Sequence, residues 1–234
     1  MYKRQVLFVV GDVEPAHIEQ LVKQHEDARA IEAQPEIERD PLNESNEVVQ
    51  SNVSERMHIQ SPRLMIGLKH PVDDFTEHQR VKEDIEMSFF FEMIYGEETN
   101  FYQALLDQDL IDDTFSYQTV IEPSYSFSLI TSATSKPDQL KKLLIDELTT
   151  NMGQVKDQKA FELLKRQFIG EYISSLNAPE YIANQSTKFY FDGVSLFELL
   201  EIIEGITLET MNATIKKRIQ LDAIVDSRLE MEKS

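Results

Sequence analysis

The chain has 234 residues, 41% of them hydrophobic and 28% charged, an ordinary globular composition for one full domain plus a remainder or for two small domains. Its 23 Lys and Arg against 42 Asp and Glu give a net charge of −19, a field that repels nucleic-acid phosphates and anionic lipid. Cysteine is absent, which excludes disulfides, thiolate-bound zinc and thiol catalysis and points to a reducing, cytoplasmic setting, and no apolar run nears the roughly 20 residues that cross a bilayer.

The first structured segment is Val6-Leu-Phe-Val-Val10, a continuous β-prone run suited to a strand covered on both faces. Gly11-Asp12 supplies a turn, and Pro15 opens a short helix that carries Ile18, Leu21 and Val22 on one face and ends near Ala30. A strand, a turn and a helix cannot close a core, so this unit needs a partner, either later in the chain or outside it. From Glu32 to about Ser54 the apolar periodicity fades. Glu36, Glu38, Asp40, Glu44 and Glu47 alternate with Pro35, Pro41, Asn43 and Ser45, the composition of a solvated acidic linker.

Met57–Gln60 and Arg63–Lys69 read as strands separated by Ser61-Pro62, and Pro71 closes the second. A long helix comes next, over about 73–94. Val81, Ile85, Phe89 and Met93 line one face, Asp73, Asp74 and Glu77 complement its positive end, and Phe90 and Phe91 imply burial on more than one side. Gly96 stops it, and a second helix spans about Thr99 to Asp109. Thr114–Ile121 and Tyr125–Thr131 alternate apolar with Ser, Gln and Thr, the pattern of an antiparallel hairpin with one buried face. Helices then occupy Pro137–Met152 and Asp157–Ser175, with shorter pieces through Leu199, and Thr207 caps a last one reaching Arg218. Strands succeeded by helices predict an α+β fold, a mostly antiparallel sheet covered by helices on one face.

None of the five histidines falls in a His-Glu-x-x-His or His-x-x-Glu-His spacing. The densest potential ligands, His70, Asp73, Asp74, Glu77 and His78, sit where acidic residues ordinarily complement a helix dipole. Val10-Gly11-Asp12 lacks the glycine and lysine spacing of a phosphate loop, and no Gly-x-Ser-x-Gly elbow occurs. Glu97-Glu98 and Asp112-Asp113 are pairs expected by chance in so acidic a chain. The aromatic group Tyr181, Phe189, Tyr190, Phe191 and Phe197 reads as core. The residues thus identify no catalytic group and no metal ligand, and leave substrate-binding residues unknown.

Three segments, in order, resemble the later part of an insulinase/pitrilysin-family zinc metallopeptidase, the inverzincin clan that includes the mitochondrial processing peptidase. Phe8-Val-Val-Gly-Asp-Val-Glu-Pro15 with its helix is similar to the end of the first half of such a protein. Met93-Ile-Tyr-Gly-Glu-Glu-Thr-Asn-Phe-Tyr-Gln-Ala-Leu105 resembles the long helix, glycine break and second helix of the second half. Leu106–Asp112, the hairpin and Ser135-Lys-Pro-Asp-Gln-Leu140 resemble the next stretch of that half, and the Leu110-Ile-Asp-Asp113 phrasing is most similar to bacterial members.

The resemblance implies two similar α+β halves joined by a linker around a peptide chamber, with zinc on His-x-x-Glu-His of the first half. Residues 1–32 then end a preceding, absent domain, 33–54 are the linker, and 55–234 are the zinc-free half. Met1–Gln5 has the look of a sequence-assembly edge. Zinc is expected in the absent N-terminal half, and the expected partners are that half, a peptide substrate and a related insulinase-like subunit. The second half of family members contributes an Arg and, seven residues on, a Tyr. The matching positions here are Leu105 and Asp112, and neither can stabilise an oxyanion. The chain alone is therefore expected to be inactive, serving as a substrate-chamber half or, alternatively, as a non-catalytic interaction subunit with the same fold.

Overall fold

A computed structural model describes residues 6–28, 45 and 47–232, so Met1–Gln5 and most of the acidic linker lie outside the described residues. A five-stranded sheet has the order β1-β5-β2-β4-β3, from β1 (Asn52–Met57), β2 (Arg63–Lys69), β3 (Ser116–Ile121), β4 (Ser126–Ala133) and β5 (Ile224–Met231). β1 and β5 run parallel, and the other three pairings are antiparallel. The expected hairpin therefore lies beside Arg63–Lys69 in one sheet, as an α+β half of this kind requires. Leu64, Ile66, Leu68 and Ile130 point to the side covered by helices and are buried, whereas Met65 on the opposite side is exposed.

The centre of the helical layer is α2 (Glu77–Tyr95). Thr76 caps it, accepting from Gln79 N while the Gln79 side chain accepts from Thr76 N. Gly96 ends it, in a position where a Cβ would lie 2.3 Å from the Glu92 carbonyl oxygen. Phe89, Phe90, Phe91, Ile94 and Tyr95 are all buried, because β3 packs on one flank while α5 (Gln158–Ser175) and α8 (Leu208–Arg218) pack on others. Burial on several sides is what the Phe90–Phe91 pair implies. Phe89 meets Phe161 and Phe168 of α5 edge-on at 6.0 and 5.2 Å. Further helices are α3 (Asn100–Asp107), α4 (Pro137–Asn151), α6 (Pro179–Phe191) and α7 (Leu199–Glu204). Among the described residues, no helix is long and apolar enough to cross a membrane.

The structure departs from the sequence reading in several places. Val6–Val10 is not a strand: with no ladder partner among the described residues it runs as irregular chain, with Leu7 and Val9 exposed and Phe8 edge-on to Tyr190 at 6.2 Å. The helix after it, α1 (Pro15–Ala28), buries no residue. The first sheet strand is Asn52–Met57 instead of Met57–Gln60, because its register is set by β5, pairing Asn52 with Asp226 and Met57 with Met231; it begins inside the segment expected to be linker. β5 itself carries no strong apolar signal, yet it fills the sheet between β1 and β2. Its inward Asp226 is 3% exposed and is bound by Lys141 of α4 and by Arg228 Nε at 2.8 Å. Finally, the aromatic group divides: Phe189 is buried, but Tyr190, Phe191 and Phe197 are exposed.

Candidate functional site

A groove runs along the free edge of β3. Its floor is α2 and its opposite wall is α5 and α6. The larger section, about 510 Å³, opens around Asp84, and a smaller one, about 280 Å³, continues past Tyr117; Ser88, Thr119, Phe168 and Glu171 line both. Four polar side chains of α2 line the groove, Arg80, Asp84, Ser88 and Glu92, spaced four residues apart and therefore stacked along one face. Apolar periodicity singles out the neighbouring line of Val81, Ile85, Phe89 and Met93 and passes over this one. The signal is nonetheless present in the sequence, as a polar four-residue period in an otherwise apolar helix.

Each residue of the stripe has a distinct environment. Arg80 is buried and fully engaged: Nη1 donates to Asp192 Oδ1 at 3.0 Å and to the Ile121 carbonyl at 3.5 Å, and Nη2 donates to the Asp192 carbonyl at 3.2 Å. This fork joins the start of α2 to the end of β3 and the end of α6. One turn later the Asp84 carboxylate accepts no hydrogen bond from any described residue. Burial pushes it up from 3.8 to about 6, against the opposing pull of Lys188. The Lys188 ammonium likewise has no ion-pair partner among the described residues, and lies 5.8 Å from the centre of the Phe189 ring. At the far end the Tyr117 hydroxyl donates to Glu92 Oε2, and burial together with this carboxylate raises the phenol well above its usual value.

The β3 wall offers backbone as well as side chains. Glu122 N donates to the Tyr125 carbonyl at 2.9 Å, which fixes the alternation of the hairpin. Val120, Gln118 and Ser116 therefore bond to β4, and the N–H and C=O groups of Tyr117, Thr119 and Ile121 point off the sheet. Arg80 occupies the Ile121 carbonyl, and no described residue occupies those of Tyr117 and Thr119.

Of the residues singled out from sequence, Tyr181 and Phe189 line the groove, and the positions matched through the resemblance and the histidine–carboxylate group lie elsewhere. Leu105 is 1% exposed in the core, and Asp112 stabilises the turn before β3, accepting from Thr114 N at 2.9 Å and Thr114 Oγ1 at 2.5 Å. The His70 to His78 group is dispersed. His70 is buried, with Nε2 2.7 Å from Ser128 Oγ and Nδ1 3.0 Å from the Arg218 carbonyl, and burial lowers it to about 4. Asp73 pairs with Lys217 at 2.8 Å, while His78 lies 3.4 Å from Glu198. Zinc does not fit these residues: among the described residues no three His, Cys, Asp or Glu converge as a metal site.

Comparison with known proteins places this geometry in context. The sequence profile described as "Peptidase M16 inactive domain" matches residues 2–168. An uncharacterized zinc protease of Bacillus subtilis (strain 168), YmfH, is 31% identical over 219 residues, covering 94% of this chain and 51% of that protein. The chain thus spans about half the length of the curated relative it matches. In fold it is similar to the crystal structure of an M16-like peptidase from Alicyclobacillus acidocaldarius, with a TM-score of 0.86, 21% identity, and 94% of this chain and 52% of that one covered. A peptidase M16 inactive domain from Pseudomonas fluorescens superposes with a TM-score of 0.68 at 15% identity, covering 96% of this chain and 52% of that one.

Proposed function

The chain belongs to the M16 peptidase family, as its inactive C-terminal domain, and from that premise we propose that it forms one wall of a peptide-binding chamber and does not itself hydrolyse peptides. The observation that carries this reading is the groove between the β3 edge and α5. Its two sections share a lining along the β3 edge, with unpaired backbone groups on one side and mixed apolar and charged side chains on the other, the features that receive an extended polypeptide. The hydrolytic zinc belongs on this reading to a preceding N-terminal half.

Residues 1–32 go with that half, and the connection between the two, expected over 33–54, ends before Asn52, where β1 begins. In support, α1 buries none of its residues, and its apolar Leu21 and Val22 are exposed. A cytoplasmic setting accords with the absence of cysteine from all 234 residues. A second reading, a non-catalytic docking subunit, draws on the exposed Tyr190, Phe191 and Phe197, aromatics of the type enriched at protein interfaces. A related insulinase-like subunit is the partner that reading names.

The test is to produce the chain alone and together with a His-x-x-Glu-His-bearing half of the same family, and to assay both on quenched-fluorescence peptides with added zinc. Hydrolysis is expected from the pair and not from this chain. Cleavage by the chain alone, or an unchanged rate from the zinc-bearing half when the chain is omitted, would sink the proposal.

A further inference from the structure

The larger section of the groove lies between two helices that carry two rungs of opposite charge. The first rung is closed: Arg80 of α2 donates to Asp192, the residue that ends α6, at 3.0 Å. One turn further along α2 stands Asp84, and one turn back along α6 stands Lys188, so the second rung has complementary charges in the reverse order. That rung is open. Both residues line the cavity, yet the carboxylate and the ammonium do not meet, and neither has a hydrogen bond or ion pair to any described residue. The other charged groups of the lining are engaged. Glu122, just after β3, stands 4.0 Å from Arg80, and Glu171 of α5 accepts from Gln167 Nε2 at 2.9 Å. A carboxylate held largely out of water without a partner is costly until something completes it.

The missing partner has a defined chemistry. It brings a cation to Asp84 and an anion to Lys188 within one cavity, and its body suits the apolar walls supplied by Ile85, Phe168, Phe189 and Leu199. A simple amine would leave Lys188 unpaired, and a residue inside a peptide carries neither backbone charge. An α-amino acid holds an ammonium and a carboxylate on one carbon, with the side chain beside them. The cavity, about 510 Å³, has the size of a small-molecule site, for which roughly 300–1,000 Å³ is typical. We propose that this section of the groove binds a free α-amino acid with an apolar side chain, its ammonium on Asp84, its carboxylate on Lys188 and its side chain among Phe168, Phe189 and Leu199. The bound molecule closes the second rung between α2 and α6 as Arg80 and Asp192 close the first. This inference goes beyond the chamber-wall reading and rests on the open rung alone. Because burial raises Asp84 to about 6, acidification protonates it and removes the partner of the ligand's ammonium.

The experiment titrates the full chain with leucine in a calorimeter and compares N-acetyl-leucine, which lacks the ammonium, and leucinamide, which lacks the carboxylate. Near pH 7 each blocked form is expected to bind at least about tenfold more weakly than leucine. Leucine itself is expected to bind about tenfold more weakly near pH 5, where Asp84 is mostly protonated and the ligand's own charges are unchanged. Two variants read the contacts separately. In Asp84→Asn the difference between leucine and N-acetyl-leucine disappears while that from leucinamide persists, and Lys188→Met gives the converse pattern. The comparison of ligands on the unaltered chain tests the proposal without any substitution. Absence of leucine binding at millimolar concentration, equal binding of the blocked forms, or differences untouched by both variants overturns it. Trileucine binding as tightly as leucine also overturns it, by assigning the two charges to a peptide. The hydrolysis assay with a zinc-bearing half uses no amino acid, so the chamber-wall reading stands or falls separately.

Discussion

Two helices of this chain carry apolar residues at helical spacing and meet opposite fates. α1 presents Ile18, Leu21 and Val22 on one face and buries nothing, whereas α2 buries ten of its 19 residues against a sheet strand and other helices. The difference lies in what surrounds each helix more than in its own sequence. An apolar stripe gains free energy only when another surface removes it from water, at about 25 cal/mol per Å². α1 is therefore an amphipathic element whose complement is not among the described residues, and α2 is the element around which the domain is assembled.

The contrast breaks most sharply under truncation of core side chains. Phe90→Ala is expected to cost about 3–5 kcal/mol in urea unfolding, since the ring is fully buried and the helices around it cannot close the gap. A loss below about 1 kcal/mol would mean that α2 is not the packing centre.

Asp84 is the exception within α2, a position where burial works against stability. Its folded-state value is raised to about 6 from 3.8, so the folded chain holds the proton more tightly than the unfolded chain. Stability is then fully present below about pH 4 and is lost as the pH rises towards about 6. Asp84→Asn removes that loss, and chemical unfolding should show a gain of about 1–2 kcal/mol above pH 7 that shrinks towards zero near pH 4. Thr76→Ala, which deletes the capping box of α2, should cost about 1 kcal/mol in the same measurement. On the other side of the comparison, Leu21→Ala in α1 should change the stability of this chain by no more than about 0.5 kcal/mol. A larger effect would show that α1 already has a packing partner.

Where local pattern and tertiary environment agree, the fold is legible in the sequence. Arg63–Lys69 is legible to the residue, and Thr207 caps α8 through a hydrogen bond from Thr210 N at 3.1 Å. The Leu105 and Asp112 positions, matched through the family resemblance, lie outside the groove. Two failures share one cause. Val6–Val10 has strand chemistry without a partner strand among the described residues, and β5 has partner strands but charged residues on its inward face, Asp226 being held by Lys141 and Arg228. Pairing is a property of two segments, and no single-segment pattern contains it. The groove escapes a reading of the sequence for a related reason: Arg80, Asp84, Ser88 and Glu92 form a legible stripe, but only the strand order shows that they face a free sheet edge.

That strand order also bears on how the sheet comes to exist. β1 and β2 are consecutive in the chain, separated only by residues 58–62, and run in opposite directions with β5 inserted between them. Until residues 224–231 have left the ribosome, nothing keeps these two strands apart, and a local hairpin between them is the pairing of lowest loop entropy. Completion of the sheet requires a segment more than 150 residues distant in sequence to enter between them. Long-range pairing of this kind slows folding, and it makes the final strand the piece on which the continuity of the sheet from β1 to β2 depends.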